Sequence, residues 1–308
     1  MPLLKVQLNH PGNEKIFRIG KGYYLINNKI IREWNSDTTH YRKFIRCEGE
    51  YLLSLNAQPL KEKLLFWGEW EGNSVFKPIN NGQNKPNGIH GPFHSILNRG
   101  CQNTDPYVYG NCFKYATCSQ SGELLNLTPD SMILFGTTKD AGFELDTVFI
   151  VKSYEKAQSV SQNNGENYSL VYREETLDRL EETYLGPNPS KLKRLYQSKT
   201  WWDNRDYFSF VPCRIDTNEG FQKALMPIPP FAKQKVGHPY QQFDKMDHVK
   251  LWNFVVSEVL KQGFFLGIRF EEPKISNEVL KGLTINQPNS NGRCNDSSRG
   301  VTTPRGCR

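Results

Sequence analysis

The chain has 308 residues, 37% hydrophobic and 12% aromatic, with a formal net charge of +7. Its mean hydropathy is -0.64, and no apolar run approaches the roughly 18–20 residues that a bilayer-spanning helix needs, which excludes a helical membrane protein. The seven cysteines are too sparse for a disulfide scaffold.

The basic charge is concentrated late. From Lys274 to Arg308 there are six Lys/Arg and two acids, a net +4, which leaves +3 for everything before. The isoelectric point near 8.9 is therefore largely a tail effect, compatible with nucleic-acid binding without demanding it. The N-terminus lacks a long apolar segment followed by a small-residue cleavage site. A cytoplasmic location with reduced thiols is the expectation.

Leu3–Gln7 alternates weakly, Pro11-Gly12-Asn13 makes a turn, and Lys15–Ile19 answers as a second strand, a hairpin-like opening. Tyr23–Ile26 and Ile30–Trp34 flank Asn27-Asn28, a turn pair because Asn tolerates positive φ. Arg42–Cys47 and Tyr51–Leu55 flank Glu48-Gly49-Glu50, a further hairpin signal. Leu64–Trp70 is the next strand, and its unbroken apolar run Leu64–Trp67 predicts burial on both faces. A polar loop over 80–88 leads into the stretch 89–118, which has no clean periodicity. Such a stretch inside a compact domain is functional or hides an element. Ser131–Gly136 and Phe143–Val151 form a strong strand pair around Lys139–Gly142.

The polar segment Gln158–Asn167 is a candidate boundary. Beyond it Glu174 and Glu175 suit a helix N-terminus, and Leu177, Leu180 and Tyr184 keep helical spacing until Gly186-Pro187. Ser190 caps a short helix through Leu195 on this reading. Tyr207–Cys213 reads as a strand, and the prolines of Leu225–Phe231 force extension. A helix from about Asp247 to Gln262 carries Val249, Trp252, Val255, Val256, Val259 and Leu260 on one stripe, with Asp247 as N-cap and Gly263 as its stop. Phe264–Phe270 is a last strand. From Lys274 the composition is that of a disordered tail.

These elements give an α+β fold. A mostly antiparallel, barrel-like β core spans residues 1–155, a mixed helical half spans 156–273, and a basic disordered tail spans 274–308.

Chemistry-bearing residues concentrate between Leu64 and Val151. Trp67, Glu69, Trp70 and Glu71 set carboxylates beside flat rings, as a pocket needs to stack a base and accept hydrogen bonds from its amino groups. The ordinary alternative is a core Trp with solvated glutamates. Asn103-Thr104-Asp105-Pro106-Tyr107-Val108-Tyr109 makes side-chain-to-backbone turns, and the same side chains read hydrogen-bonding edges when a turn faces a pocket. His90 and His94 with Cys101, Cys112 and Cys118 offer zinc-type ligands, but Gly91-Pro92 interrupts the pair and no Cys-x2-Cys exists. The expected cofactor and metal content is therefore none. Glu144 and Asp146, near Asp140, alternate on one strand face where a divalent cation or solvent is the partner. Of Trp201 and Trp202, one packs inward and the other is partly exposed. No dinucleotide, Walker or serine-hydrolase motif is present.

The segment Pro129–Gly136, a short turn and Phe143–Val151 resembles PUA-like domains of the EVE and ASCH type. A strand begins near an acid there, turns, and returns as a second apolar strand. That resemblance implies a small twisted barrel with an aromatic-lined pocket for a modified or flipped base. The whole Leu64–Val151 block also resembles bacterial proteins of uncharacterised function.

The resulting expectation is a nucleotide or nucleic-acid base recognition module. Trp67 and Trp70 stack, Glu69 and Asp105 accept hydrogen bonds, Asn103, Thr104 and Tyr109 complete the pocket, and the basic tail touches phosphate. A metal-dependent hydrolase or nuclease using the His/Cys group or Glu144 and Asp146 is the alternative, and a protein-interaction adaptor is another. The sequence leaves catalysis and oligomeric state open.

Overall fold

The computed structural model describes residues 4–9, 12–14, 17–33, 40–79, 86–95, 103–116, 122–139, 142–227, 240–242 and 245–276. In chain order the strands are β1 (Leu4–Asn9), β2 (Tyr23–Ile26), β3 (Lys29–Arg32), β4 (Lys43–Leu52), β5 (Leu60–Gly68), β6 (Ser74–Pro78), β7 (Gly88–His94) and β8 (Lys114–Tyr115). They continue as β9 (Met132–Lys139), β10 (Gly142–Lys156), β11 (Arg194–Ser198), β12 (Val211–Ile215), β13 (Ala224–Pro227), β14 (Tyr240–Gln242), β15 (Phe265–Phe270) and β16 (Lys274–Ile275).

One sheet runs β14-β1-β9-β10-β11-β8, with β13 added to β10. The other runs β15-β12-β5-β4-β7-β6-β3-β2, and β15 returns to pair with β4. That pairing closes β4, β5, β12 and β15 into an antiparallel barrel. The α+β class with a barrel-like, mostly antiparallel core is as the residue patterns predict. Each sheet takes strands from both sides of residue 155.

Strands β9 and β10 form the central wall. Alternation sends Ile133, Phe135, Phe149 and Val151 into a core shared with Ile45, Leu64, Phe66 and Tyr115. Met132, Leu134, Val148 and Ile150 enter a second core closed by Trp252, Val255, Val256 and Val259 of the helix Lys245–Lys261. Burial on both faces is why these strands read as continuous apolar runs. Leu64–Trp67 of β5 is likewise buried throughout. Asn27 and Asn28 take φ of 47° and 60° in the β2–β3 turn, as their residue type predicts.

Several local readings are corrected. Strand β1 pairs parallel with β9 and antiparallel with β14 instead of forming a hairpin with Lys15–Ile19, because two distant neighbours satisfy both of its edges. Glu48-Gly49-Glu50 is no turn but the middle of β4. A Cβ on Gly49 would sit 2.7 Å from the Arg269 carbonyl oxygen, so glycine there permits the close approach of β15. The segment from Ser190 to Leu195 is not helical, and β11 starts at Arg194 to pair with β10. Strand β12 begins at Val211, later than the sequence places it.

Leu170–Tyr184 is helical, with a π-helical turn at Arg173–Leu177. The aperiodic stretch 89–118 contains most of β7, which pairs with the preceding strand β6, and β8, which pairs with the remote β11. In the helix Lys245–Lys261, Leu251 is buried and Val249 exposed, and Asp247 lies inside the helix and not at its cap. Gly263 ends it at φ 74°. Lys274 and Ile275 pair in parallel with β7 instead of joining the tail, and 277–308 lie outside the described residues.

Candidate functional site

Strand β5 ends at Gly68, directly opposite Lys43 at the start of β4. The chain then leaves the ladder, and Glu69 and Glu71 fall beside Arg42 and Lys43. Arg42 Nη1 donates to Glu69, and its Nε donates to Asp146 at 3.1 Å. Lys43 Nζ donates to Glu71 at 2.5 Å. Lys223 Nζ lies 2.5 Å from Asp146. Arg32 of β3 approaches Glu14 at 3.7 Å and Glu71 at 3.9 Å.

These four cations and four carboxylates are all buried. A charge taken out of water is tolerable only with an opposite charge and hydrogen bonds around it. The cluster therefore fixes how six separate chain segments meet at one end of the barrel. A register shift between Leu145 and Thr147 in the β9–β10 pairing accompanies the inward Asp146, whereas Glu144 faces Lys139 at 3.7 Å nearer the surface. The two acids do not form the paired face that simple alternation predicts, because the bulge re-aims one of them.

His90 lies at the far side of the cluster. Its Nε2 donates to Glu14 at 3.0 Å, and its Nδ1 accepts from Ser74 Oγ at 2.8 Å. Burial lowers its pKa and so favours the neutral ring. Burial alone would raise the Glu14 carboxyl, but the hydrogen bond from His90 and the charges of Arg32 and Lys43 outweigh it and hold Glu14 at about 2. Tyr23 also donates to Glu14 at 2.6 Å.

The cluster reaches the surface at His40, whose side chain is 39% exposed. Its backbone takes φ of 64°, a conformation rare outside glycine. Two contacts hold it there. The His40 N–H donates to Glu71 Oε1 at 2.9 Å, and ring Nδ1 lies 3.3 Å from Glu69 Oε1. Burial acts to lower the imidazole pKa, but the Glu69 hydrogen bond and charge, then Glu71, prevail and raise it. His40, Glu69 and Glu71 also present ligand atoms within 4.8 Å of one another.

The residues singled out from sequence fall in different surroundings. Glu69 is in the cluster. Trp70 is buried, with Nε1 donating to the Asn73 carbonyl at 2.9 Å and its ring edge-on to Tyr109 at 5.5 Å. Thr104 Oγ1 accepts from the Glu71 N–H at 3.0 Å. The stretches 67–71 and 103–109 thus converge, joined through Glu71–Thr104 and Trp70–Tyr109. Asp105 turns away, and its Oδ1 accepts from the Ala116 N–H at 2.9 Å. Asn103 is half-buried. Trp67 is buried on the barrel side against Phe44, Leu65 and Ile89, with Nε1 donating to the Phe221 carbonyl at 2.8 Å.

His94 does not join His90. Its Nδ1 and Nε2 lie 2.6 and 2.7 Å from Glu175 and Glu174 of the π-helical turn. Cys101, Cys118 and Asp140 lie outside the described residues. Cys47, Cys112 and Cys213 are free thiols. Trp201 is buried in a turn and Trp202 is 49% exposed, their rings edge-on at 5.7 Å, the split that adjacent tryptophans predict.

Sequence reading missed Glu14, Arg32, His40, Arg42, Lys43 and Lys223. The one signal was charge embedded in apolar strand sequence, as in Ile30-Ile31-Arg32 and Arg42-Lys43-Phe44-Ile45, where strand ends normally reach solvent.

Fold and site together define a β-rich α+β protein with a four-strand barrel whose end is closed by a charge-balanced buried cluster. The chain matches no family model, no curated protein and no solved structure. No helix among the described residues is long and apolar enough to cross a membrane.

Proposed function

We propose that this chain is a recognition module for a nucleotide or nucleic-acid base, modified bases included, with its reading edge at His40. The observation that carries this reading is His40 itself: a half-exposed imidazole in a strained backbone conformation, gripped by two buried carboxylates. Strain of this kind costs of order 1–3 kcal/mol and persists where surrounding structure over-determines it, often at binding sites. A rigid imidazole offers a ring face for stacking and a nitrogen for hydrogen bonding, the two contacts base recognition uses. Trp67 and Trp70 serve this site as buried support and not as stacking platforms, since their rings face protein.

The test is titration of the protein with nucleosides while following the His40 ring signals by NMR. A shift of His40 that saturates, and is lost in Glu69→Gln with the fold intact, supports the reading. An unmoved His40 across purine and pyrimidine nucleosides overturns it.

A second reading, metal-dependent hydrolysis, rests on the close ligand atoms of His40, Glu69 and Glu71. Arg42 and Lys43 already neutralise those carboxylates and oppose a further cation. Calorimetry with zinc and manganese separates the two: one-to-one binding that disappears in His40→Ala favours metal chemistry.

A further inference from the structure

The reverse face of β7 carries a second feature. Val75 pairs with Gly91 and Lys77 with Ile89, and directly opposed residues share a sheet face. Phe76 pairs with His90, so the buried cluster lies behind the sheet from these residues. Here a groove of about 450 Å³ has Ile30, Val75 and Ile89 among its lining and Lys29, Arg46 and Lys77 as its cations. That volume falls in the range of small-ligand sites.

The cations come from three different strands, β3, β4 and β6, and are under-matched. Arg46 pairs with Asp216 at 2.6 Å. Its Nη2 also donates to Asn218 Oδ1 at 2.7 Å, and Lys77 Nζ donates to that same oxygen at 3.0 Å. Asn218 is held at φ 62°, with its N–H on Asp216. A neutral amide oxygen therefore collects two cationic donors. Among the described residues no carboxylate lies within ion-pair distance of Lys29 or Lys77. The groove keeps a net charge of +2, three cations against Asp216.

Convergent cationic donors on one oxygen are the arrangement a phosphoryl oxygen satisfies better than an amide, because it accepts several charge-assisted bonds at once. The convergence of Arg46 and Lys77, with Lys29 on the neighbouring strand, suits a phosphate, and the half-buried Val75 between them leaves an apolar contact for sugar or base. We infer that this groove binds the phosphodiester backbone of a single-stranded nucleic acid. The inference rests on the nucleic-acid reading of the protein but uses residues independent of His40.

The experiment is fluorescence anisotropy of the full chain with labelled dT12 over a salt series, comparing wild type, Lys29→Gln/Lys77→Gln and His40→Ala. Both lysines are exposed, so the double variant keeps the fold, checked by circular dichroism. The expected result is binding weakened about tenfold or more by the lysine pair, with the slope of log affinity against log salt shallower by about 1.4, at about 0.7 per phosphate contact. Equal affinity and slope for the lysine variant, or no dT12 binding by wild type, overturns the groove. A poly-glutamate peptide binding as tightly as dT12 also overturns it, in favour of a general acidic-chain site. The two proposals fail separately. Binding of dT12 that needs the lysines, with nucleosides leaving His40 unmoved, keeps the groove and sinks the base site. Nucleosides that move His40 while dT12 binding ignores the lysines do the reverse.

Discussion

His40 is raised in pKa by acids that are themselves matched by Arg42 and Lys43. Its pH behaviour follows from sign. A group whose folded pKa is raised contributes stability that is complete below the ordinary histidine value of about 6.5 and is lost as pH rises through the folded value. NMR titration is expected to give His40 a pKa above the ordinary value, falling towards it in Glu69→Gln. The buried acids behave differently. Asp146 faces both Arg42 and Lys223, so Asp146→Ala strands the buried Lys223 and takes from Arg42 one of its two carboxylates, and urea unfolding is expected to show a loss of about 3–5 kcal/mol. Adding Lys223→Met to that variant removes the stranded charge and is expected to recover part of the loss. A further loss on the second change would show that Lys223 stabilises the fold in another way.

At the scale of elements, two contacts are open to test. Strand β15 passes so close to Gly49 that a methyl group there would meet the Arg269 backbone at 2.7 Å, whereas one at Gly91 has its nearest neighbour at 3.7 Å. Gly49→Ala is expected to cost about 1–3 kcal/mol by overpacking, and Gly91→Ala much less, both read from denaturant midpoints. The π-helical turn Arg173–Leu177 is tied to β7 by His94, whose two ring nitrogens both face carboxylates. A carboxylate only accepts, so the protonated ring is the form that donates to both. Burial acts to lower the His94 pKa, but Glu175 and then Glu174 raise it overall. Burial raises the Glu175 carboxyl, an effect that His94 and Arg179 partly offset. The clamp is therefore complete below the ordinary histidine range and is lost as pH rises through the raised value. Hydrogen exchange, corrected for intrinsic rates, should show 170–184 better protected at pH 6 than at pH 9. His94→Gln should flatten that difference.

At the scale of the whole molecule, the barrel requires β12 and β15 from the later half of the chain to close on β4 and β5. A fragment ending at residue 156 leaves β4 and β5 each with an open edge and their apolar faces uncovered. It is expected to lack the cooperative thermal transition of the full chain, as measured by calorimetry, and a sharp transition in that fragment would show the early half to be autonomous. The long-range pairings also explain which hairpins were legible. The Asn27-Asn28 turn joins adjacent strands and its residue types carry the signal, whereas β1 pairs with β9 across a long stretch of intervening chain, Lys5 opposite Met132, which no local pattern encodes.

Apolar periodicity and turn chemistry, which are local properties, determined from sequence alone that β5, β9 and β10 are strands, that the 245–261 segment is a helix stopped at Gly263, and that the core is a mostly antiparallel barrel. They also drew attention to Glu69, Trp70, Thr104 and Tyr109, because aromatics and acids beside turns are conspicuous in a linear string. Only the tertiary structure decided that the Trp67 and Trp70 rings face inward, that Glu48-Gly49-Glu50 continues a strand, and that Glu14, Arg32, Arg42, Lys43, Glu69, Glu71, Asp146 and Lys223 meet in one buried cluster opening at His40. Charge pairing over 18 to 104 residues of separation has no local signature. A buried ion pair is stable because of what surrounds both partners, and that environment does not exist until the strands have assembled.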